Sequence, residues 1–165
     1  MGGMWHRKGN WTEHLDIGRK ITETCYQTYN QSSTGLGSEG ILVLNDGTFS
    51  FSSQSSLLRP EVIESIFYQY RFTNDPKYRA YASNILNSLD KLKDKAGYHS
   101  LEFSSPLNKM ESFFFAETLK YLYLIYSEDS VVPLDQYVFN TEAHPLSIRG
   151  FGQRKDPTKW VPLHF

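Results

Sequence analysis

One cysteine, Cys25, in a chain of 165 residues excludes an internal disulfide and a cysteine-based zinc site. No apolar run is long enough for a membrane span, and the opening stretch MGGMWHRKGN lacks the apolar core of a signal peptide. Charge of one sign is missing as well. Seventeen basic residues face eighteen acidic ones, the net charge is -1 and there is no basic block. An electrostatic partner such as nucleic acid or a membrane surface is therefore not implied. Internal repeats and low-complexity segments are absent too. What the chain does have is 39% hydrophobic and 15% aromatic residues, enough for one modest core. It also has two glycosylation acceptor triplets, Asn10-Trp11-Thr12 and Asn30-Gln31-Ser32, which matter only in a secretory compartment.

The apolar spacing is mostly helical. In WTEHLDIGRKITETCYQTY the stripe Leu15, Ile17, Ile21, Cys25 and Tyr29 predicts a helix, which the glycines of TGLGSEG stop. ILVLNDGTFSFSS, with Asn45-Asp46-Gly47 between two short apolar runs, reads as short strands or a loop. Pro60 suits a first helical position, and Val62, Ile63, Ile66, Phe67 and Tyr70 predict a helix from about Pro60 to Phe72. Another helix follows, with Asp75 as N-cap, Pro76 at its first turn and Tyr78, Ala82, Ile85, Leu89 and Leu92 as its stripe. The residues between Gly97 and Pro106 read as a loop. A third long helix, from about Lys109 to Tyr126, is apolar nearly all round, with Phe114 and Phe115 expected in the core. QYVFNTEAHPLSI is a short extended segment, and a polar tail ends the chain. Helix follows helix without strand alternation, so the fold class expected is all-α.

Charges at the openings of apolar helices carry the chemical interest. Glu61 and Glu64 share a helix face, with Arg59 less than a turn before them. Acids in a first turn complement the helix dipole, and that alone explains most such pairs. The functional alternative is a carboxylate kept ionised by a neighbouring cation to serve as a general base. Phe113 and Glu117, four apart, set a ring beside a carboxylate. That pairing suits core packing, and it also suits a sugar, whose C–H face stacks on a ring while its hydroxyls bond to acids. Thr141 offers a hydroxyl and a carbonyl to a hard cation next to Glu142, with waters able to complete the shell. His144 has no matching His or Cys cluster, which favours a structural role over zinc.

In this order, TETCYQTYNQSSTGLGSE, LLRPEVIESIFYQYRFTNDPKYR, MESFFFAETLKYLYLIYSED and YVFNTEAHPL resemble the C-terminal part of class I α-1,2-mannosidases, glycoside hydrolase family 47. The similarity runs from about Thr12 to Ile148 and covers less than half of the family's catalytic domain. Residues 1–148 are therefore expected to be the C-terminal portion of a catalytic barrel, with 149–165 as the tail. The resemblance implies part of an (α/α)7 barrel plugged by a short C-terminal β-hairpin, which YVFNTEAHPL would form. It implies inverting, calcium-dependent (Ca2+) removal of terminal α-1,2-linked mannose from high-mannose N-glycans. Glu61 matches the base that activates water, and Thr141 the direct calcium ligand. Arg59, Glu39, Glu64, Phe113, Glu117 and Glu142 match positions that line the sugar subsite or support calcium-bound waters, with Phe113 as the stacking ring.

The same resemblance puts the family's general acid and a further catalytic aspartate in earlier motifs that this sequence lacks. It makes Cys25 a half-cystine whose mate would lie upstream of Met1. Ser38 stands where the family commonly has proline, and the segment from Glu39 to Leu58 is short. A parent protein in the secretory pathway, endoplasmic reticulum or Golgi, or secreted, is implied as well, with membrane anchoring through a missing N-terminal segment as one form of it. A second reading keeps the same residues for a mannosidase-like, glycan-binding factor in endoplasmic reticulum quality control. A third, a self-contained helical interaction domain, explains the periodicity but not the four motifs in order.

Overall fold

The computed structural model describes residues 11–148, so the tail at 149–165 and the triplet residue Asn10 lie outside the described residues. Helix α1 spans Trp11–Asn30, and the hairpin of β1 (Ile41–Val43) and β2 (Phe49–Phe51) follows. Helices α2 (Glu61–Thr73) and α3 (Lys77–Asp90) come next, then the hairpin of β3 (Ser100–Glu102) and β4 (Ser105–Leu107). A π-helical segment, Phe114–Leu119, runs into α4 (Lys120–Tyr126). The last hairpin pairs β5 (Tyr137–Phe139) with β6 (Pro145–Ser147).

Helix α2 is the hub, because it packs against α1, α3 and α4 and buries Ile63, Ile66 and Phe67. It stops at Asn74, whose left-handed backbone (φ 53) lets its N–H bond back to the Tyr70 carbonyl. The Asp75 side chain then accepts the Lys77 N–H at 3.0 Å, which opens α3 one residue later than the sequence places it. The α3 stripe is the expected one, with Tyr78, Ala82, Ile85 and Leu89 buried. Phe67, Tyr121 and Phe139 meet edge-on or tilted, with centroids 5.3 to 5.8 Å apart, and this joins α2, α4 and the last hairpin.

Four expectations are corrected. Helix α1 turns Thr22, Tyr26 and Tyr29 inward and leaves Ile17 and Ile21 at 47% and 58% exposure. Its packing is decided by Tyr26 stacking on Tyr81 at 3.7 Å and by Gly18, where a Cβ would sit 2.9 Å from the Gln69 amide nitrogen. The stretch expected as a loop between Gly97 and Pro106 contains the β3–β4 hairpin. Its turn residues, Phe103 and Ser104, both have positive φ, the backbone of a tight hairpin without the usual glycine. The third long helix does not start at Lys109, because the carbonyl of that residue accepts the Ser100 N–H. Phe115 is not core, and it is 56% exposed.

The structure is thus helix-rich with three short hairpins rather than purely helical. The four helices among the described residues cannot close a ring of seven pairs, so a barrel rests on the resemblance alone. Among the described residues no helix is long and apolar enough to cross a membrane.

Candidate active site

Glu39, on the strap between α1 and β1, receives the Arg59 guanidinium at 2.7 Å and the Leu57 N–H at 3.1 Å. Its own N–H bonds to the Ser55 carbonyl at 2.9 Å, so the loop before α2 and the strap hold each other. The Arg59 guanidinium also lies 6.0 Å from the centroid of the Phe113 ring, within cation–π range. Glu39, Arg59 and Phe113 therefore form one group, and the hydrogen bond from Arg59 to Glu39 strengthens the hold of Arg59 on its proton.

Two contacts outside the sequence-level set fix this group. The buried Thr118 hydroxyl donates to the Leu58 carbonyl at 2.7 Å, at a residue with φ 62. The Tyr29 hydroxyl donates to the Arg59 carbonyl at 3.5 Å. Tyr29 also needs Gly37, since any Cβ there would fall 2.5 Å from the tyrosine ring.

Glu61 and Glu64 occupy the first turn of α2, with Glu61 exposed and Glu64 half-buried. Glu117 faces them from the π-helical segment. Partial burial pushes Glu64 above the usual glutamate range, a hydrogen bond from the Tyr121 phenol opposes this, and repulsion from Glu117 and Glu61 adds to it. Glu117 is raised likewise, by burial first and then by Glu61 and Glu142, with Lys120 and His144 countering. Glu117 is thus within reach of the charges of Glu61, Glu64 and Glu142, and Glu64 of that of Glu61.

Thr141 and Glu142 lie exposed in the turn between β5 and β6. The Asn140 side chain accepts the N–H groups of Glu142 and His144 at 3.0 and 2.8 Å, and Lys120 donates to the Ala143 carbonyl at 2.8 Å. Glu142, next to Thr141 in this anchored turn, brings its charge within reach of Glu117. His144 lies 3.9 Å from Glu142, and among the described residues no group of three or more His, Cys, Asp or Glu could hold a metal. Thr141 itself offers a hydroxyl and a carbonyl oxygen, and the Glu142 carboxylate follows it in the turn. That chemistry fits a hard cation bound largely through waters.

Lys120 and Tyr121 escaped the sequence reading because they stand in an apolar run. Their spacing, three and four residues after Glu117, was the available signal. Cavities of about 170 Å³ beside the Gln31–Ser38 loop and about 320 Å³ beside His99 lie away from the glutamates. Cys25 is free and half-buried, and burial raises its thiol.

The family model described as glycosyl hydrolase family 47 matches residues 1–148. The chain is 41% identical over 163 residues to the endoplasmic reticulum mannosyl-oligosaccharide 1,2-alpha-mannosidase of Homo sapiens, covering 88% of this chain and 23% of that one. It is 38% identical over 163 residues to a mannosyl-oligosaccharide 1,2-alpha-mannosidase of Arabidopsis thaliana, covering 83% and 26%. Among solved structures, the alpha-1,2-mannosidase from Trichoderma reesei superposes with a TM-score of 0.77 at 34% identity, covering 85% of this chain and 35% of that one. The chain spans about a quarter of the length of the curated relatives it matches.

Proposed function

Because the chain belongs to glycosyl hydrolase family 47, we propose that it supplies the base-bearing side of an inverting α-1,2-mannosidase site acting on high-mannose N-glycans in the secretory pathway. The observation that carries this is the raised pair Glu64 and Glu117, gathered with Glu61 and Glu142 beside the Glu39–Arg59–Phe113 group. Charge repulsion of this kind costs stability and is expected where charge has a task.

In the proposed reaction Glu61 accepts a proton from the water that attacks the anomeric carbon. The C–O bond to the leaving sugar breaks as the new one forms on the opposite face. The leaving oxygen is protonated by a carboxylic acid that must stand across the bond, about 6.5 to 9.5 Å from the base. By the resemblance, that acid belongs to motifs absent from this sequence. Phe113 stacks on the sugar ring, while Arg59 and Glu39 orient its hydroxyls. Glu64, held by the Tyr121 phenol, and Glu117 and Glu142 bind hydroxyls and ordered water. Thr141, through its hydroxyl and carbonyl, would hold a calcium ion. When bound, that ion supplies positive charge to offset the glutamates and order oxygen ligands.

The test is release of mannose from a high-mannose N-glycan by a complete catalytic domain carrying this sequence, with calcium present and with it chelated. Calcium-dependent release with inverted anomeric configuration is expected, and no release in either condition would remove the proposal. The 165-residue chain by itself is expected to release none. It lacks the opposing acid and leaves apolar side chains such as Ile17, Ile21 and Phe115 in water.

A further inference from the structure

Lys120 opens α4 one turn beyond Glu117, and its side chain reaches out of the helix to the turn between β5 and β6. Its ammonium is part-buried and donates to the Ala143 carbonyl at 2.8 Å. Ala143 is fully buried and has φ 56, a backbone that a residue with a Cβ adopts only when its surroundings hold it. The turn is gripped from its other side by Asn140, whose side-chain oxygen takes two N–H groups while its backbone N–H and carbonyl bond to residues 144 and 143. Thr141 and Glu142 sit between these two grips.

We infer that Lys120 is a positioning residue that locks the Thr141–Glu142 turn to the helix carrying Phe113 and Glu117. The inference rests on the proposed cation and sugar site for its consequence in binding, and on the 2.8 Å contact for its geometry. A charged donor suits the place. Its bond to a carbonyl is stronger than a neutral one, and its positive charge acts on Glu117. Lysine also has the reach that a shorter donor at the same helix position would lack.

The test uses Lys120→Met and Lys120→Arg in a complete catalytic domain carrying this sequence. It reads calcium affinity by calorimetry, and amide hydrogen exchange in residues 139–146 against α3. Lys120→Met should weaken calcium binding by about 10- to 100-fold and speed exchange in 139–146 by at least about tenfold while α3 keeps its protection. Lys120→Arg, which retains a charged donor, should recover most of both. Unchanged exchange in 139–146, or exchange that rises equally in α3, overturns the inference. If Lys120→Met does not fold, Lys120→Gln, whose shorter side chain falls short of the Ala143 carbonyl, gives the same comparison. A wild type that binds no calcium would retire the cation site, while the exchange data would still decide the role of Lys120.

Discussion

Two populations of acidic side chains share this chain, and their surroundings act on them in opposite directions. Asp16, Asp46 and Asp94 are held below the usual aspartate range. Asp16 is lowered chiefly by hydrogen bonds from Lys20 and Arg19, Asp46 by the Thr48 hydroxyl and N–H, and Asp94 by the Ala96 N–H and His99. Glu64 and Glu117 are pushed up, by burial and then by other glutamates. The first set fastens helix surfaces and turns. The second is raised first by burial and then by mutual repulsion, and it stands at the start of α2 and on the π-helical segment. Acids placed at a cost to the fold are what the proposed sugar and cation site accounts for.

The pH dependence follows with opposite signs. Glu64 and Glu117 bind protons more tightly folded than unfolded. Their stabilising contribution is complete below the ordinary glutamate value of 4.5 and is lost as pH rises through their raised values. Asp16, Asp46 and Asp94 contribute above the ordinary aspartate value of 3.8 and lose that contribution as pH falls through their lowered values.

The contrast can be broken most forcefully at Glu61. In a complete catalytic domain, Glu61→Gln should lower turnover by about 100- to 10,000-fold while glycan binding persists, since the amide keeps the shape but takes no proton. Turnover near wild type would leave the cluster without its base.

The next largest effect concerns the cation. Calcium at a hundredfold excess over its Kd should stabilise the wild-type domain by about 2.7 kcal/mol, and Thr141→Ala should lose most of that gain in a thermal melt. An unchanged calcium-induced shift would take Thr141 out of the site.

The smallest effects sharpen the contrast in sign. Without calcium at neutral pH, Glu117→Gln should stabilise the domain by up to about 1 kcal/mol, after allowance for its partial exposure. Asp94→Ala should lower the melting temperature, because it removes the acceptor of Ala96, Gly97 and His99. Two changes of the same sign would dissolve the distinction.

Helices α2 and α3 were legible because prolines at residues 60 and 76 sit beside their first turns and because one apolar stripe dominates each. The site was half legible. Arg59, Glu61 and Glu64 stand out as charges opening an apolar helix, and Thr141 with Glu142 as oxygen donors. Their residue-by-residue roles came from the resemblance. What stayed hidden depends on contacts distant in sequence. Tyr26 and Gly18 decide which face of α1 turns inward, overriding the Ile17 and Ile21 stripe. A positive-φ turn at Phe103 and Ser104, without glycine, concealed the middle hairpin. Tyr121 and Lys120 looked like part of an apolar run until the fold brought Glu64 and Ala143 to them.

The central claim is that the repulsive glutamates form a place for a cation and its oxygen ligands. Titration of the Glu64 and Glu117 side-chain carboxyl signals by 13C NMR, in a complete domain with and without calcium, tests this most directly, with Asp94 as the internal reference. The account predicts that calcium lowers the midpoints of both glutamates and leaves Asp94 where it was. Midpoints of Glu64 and Glu117 that ignore saturating calcium would contradict it.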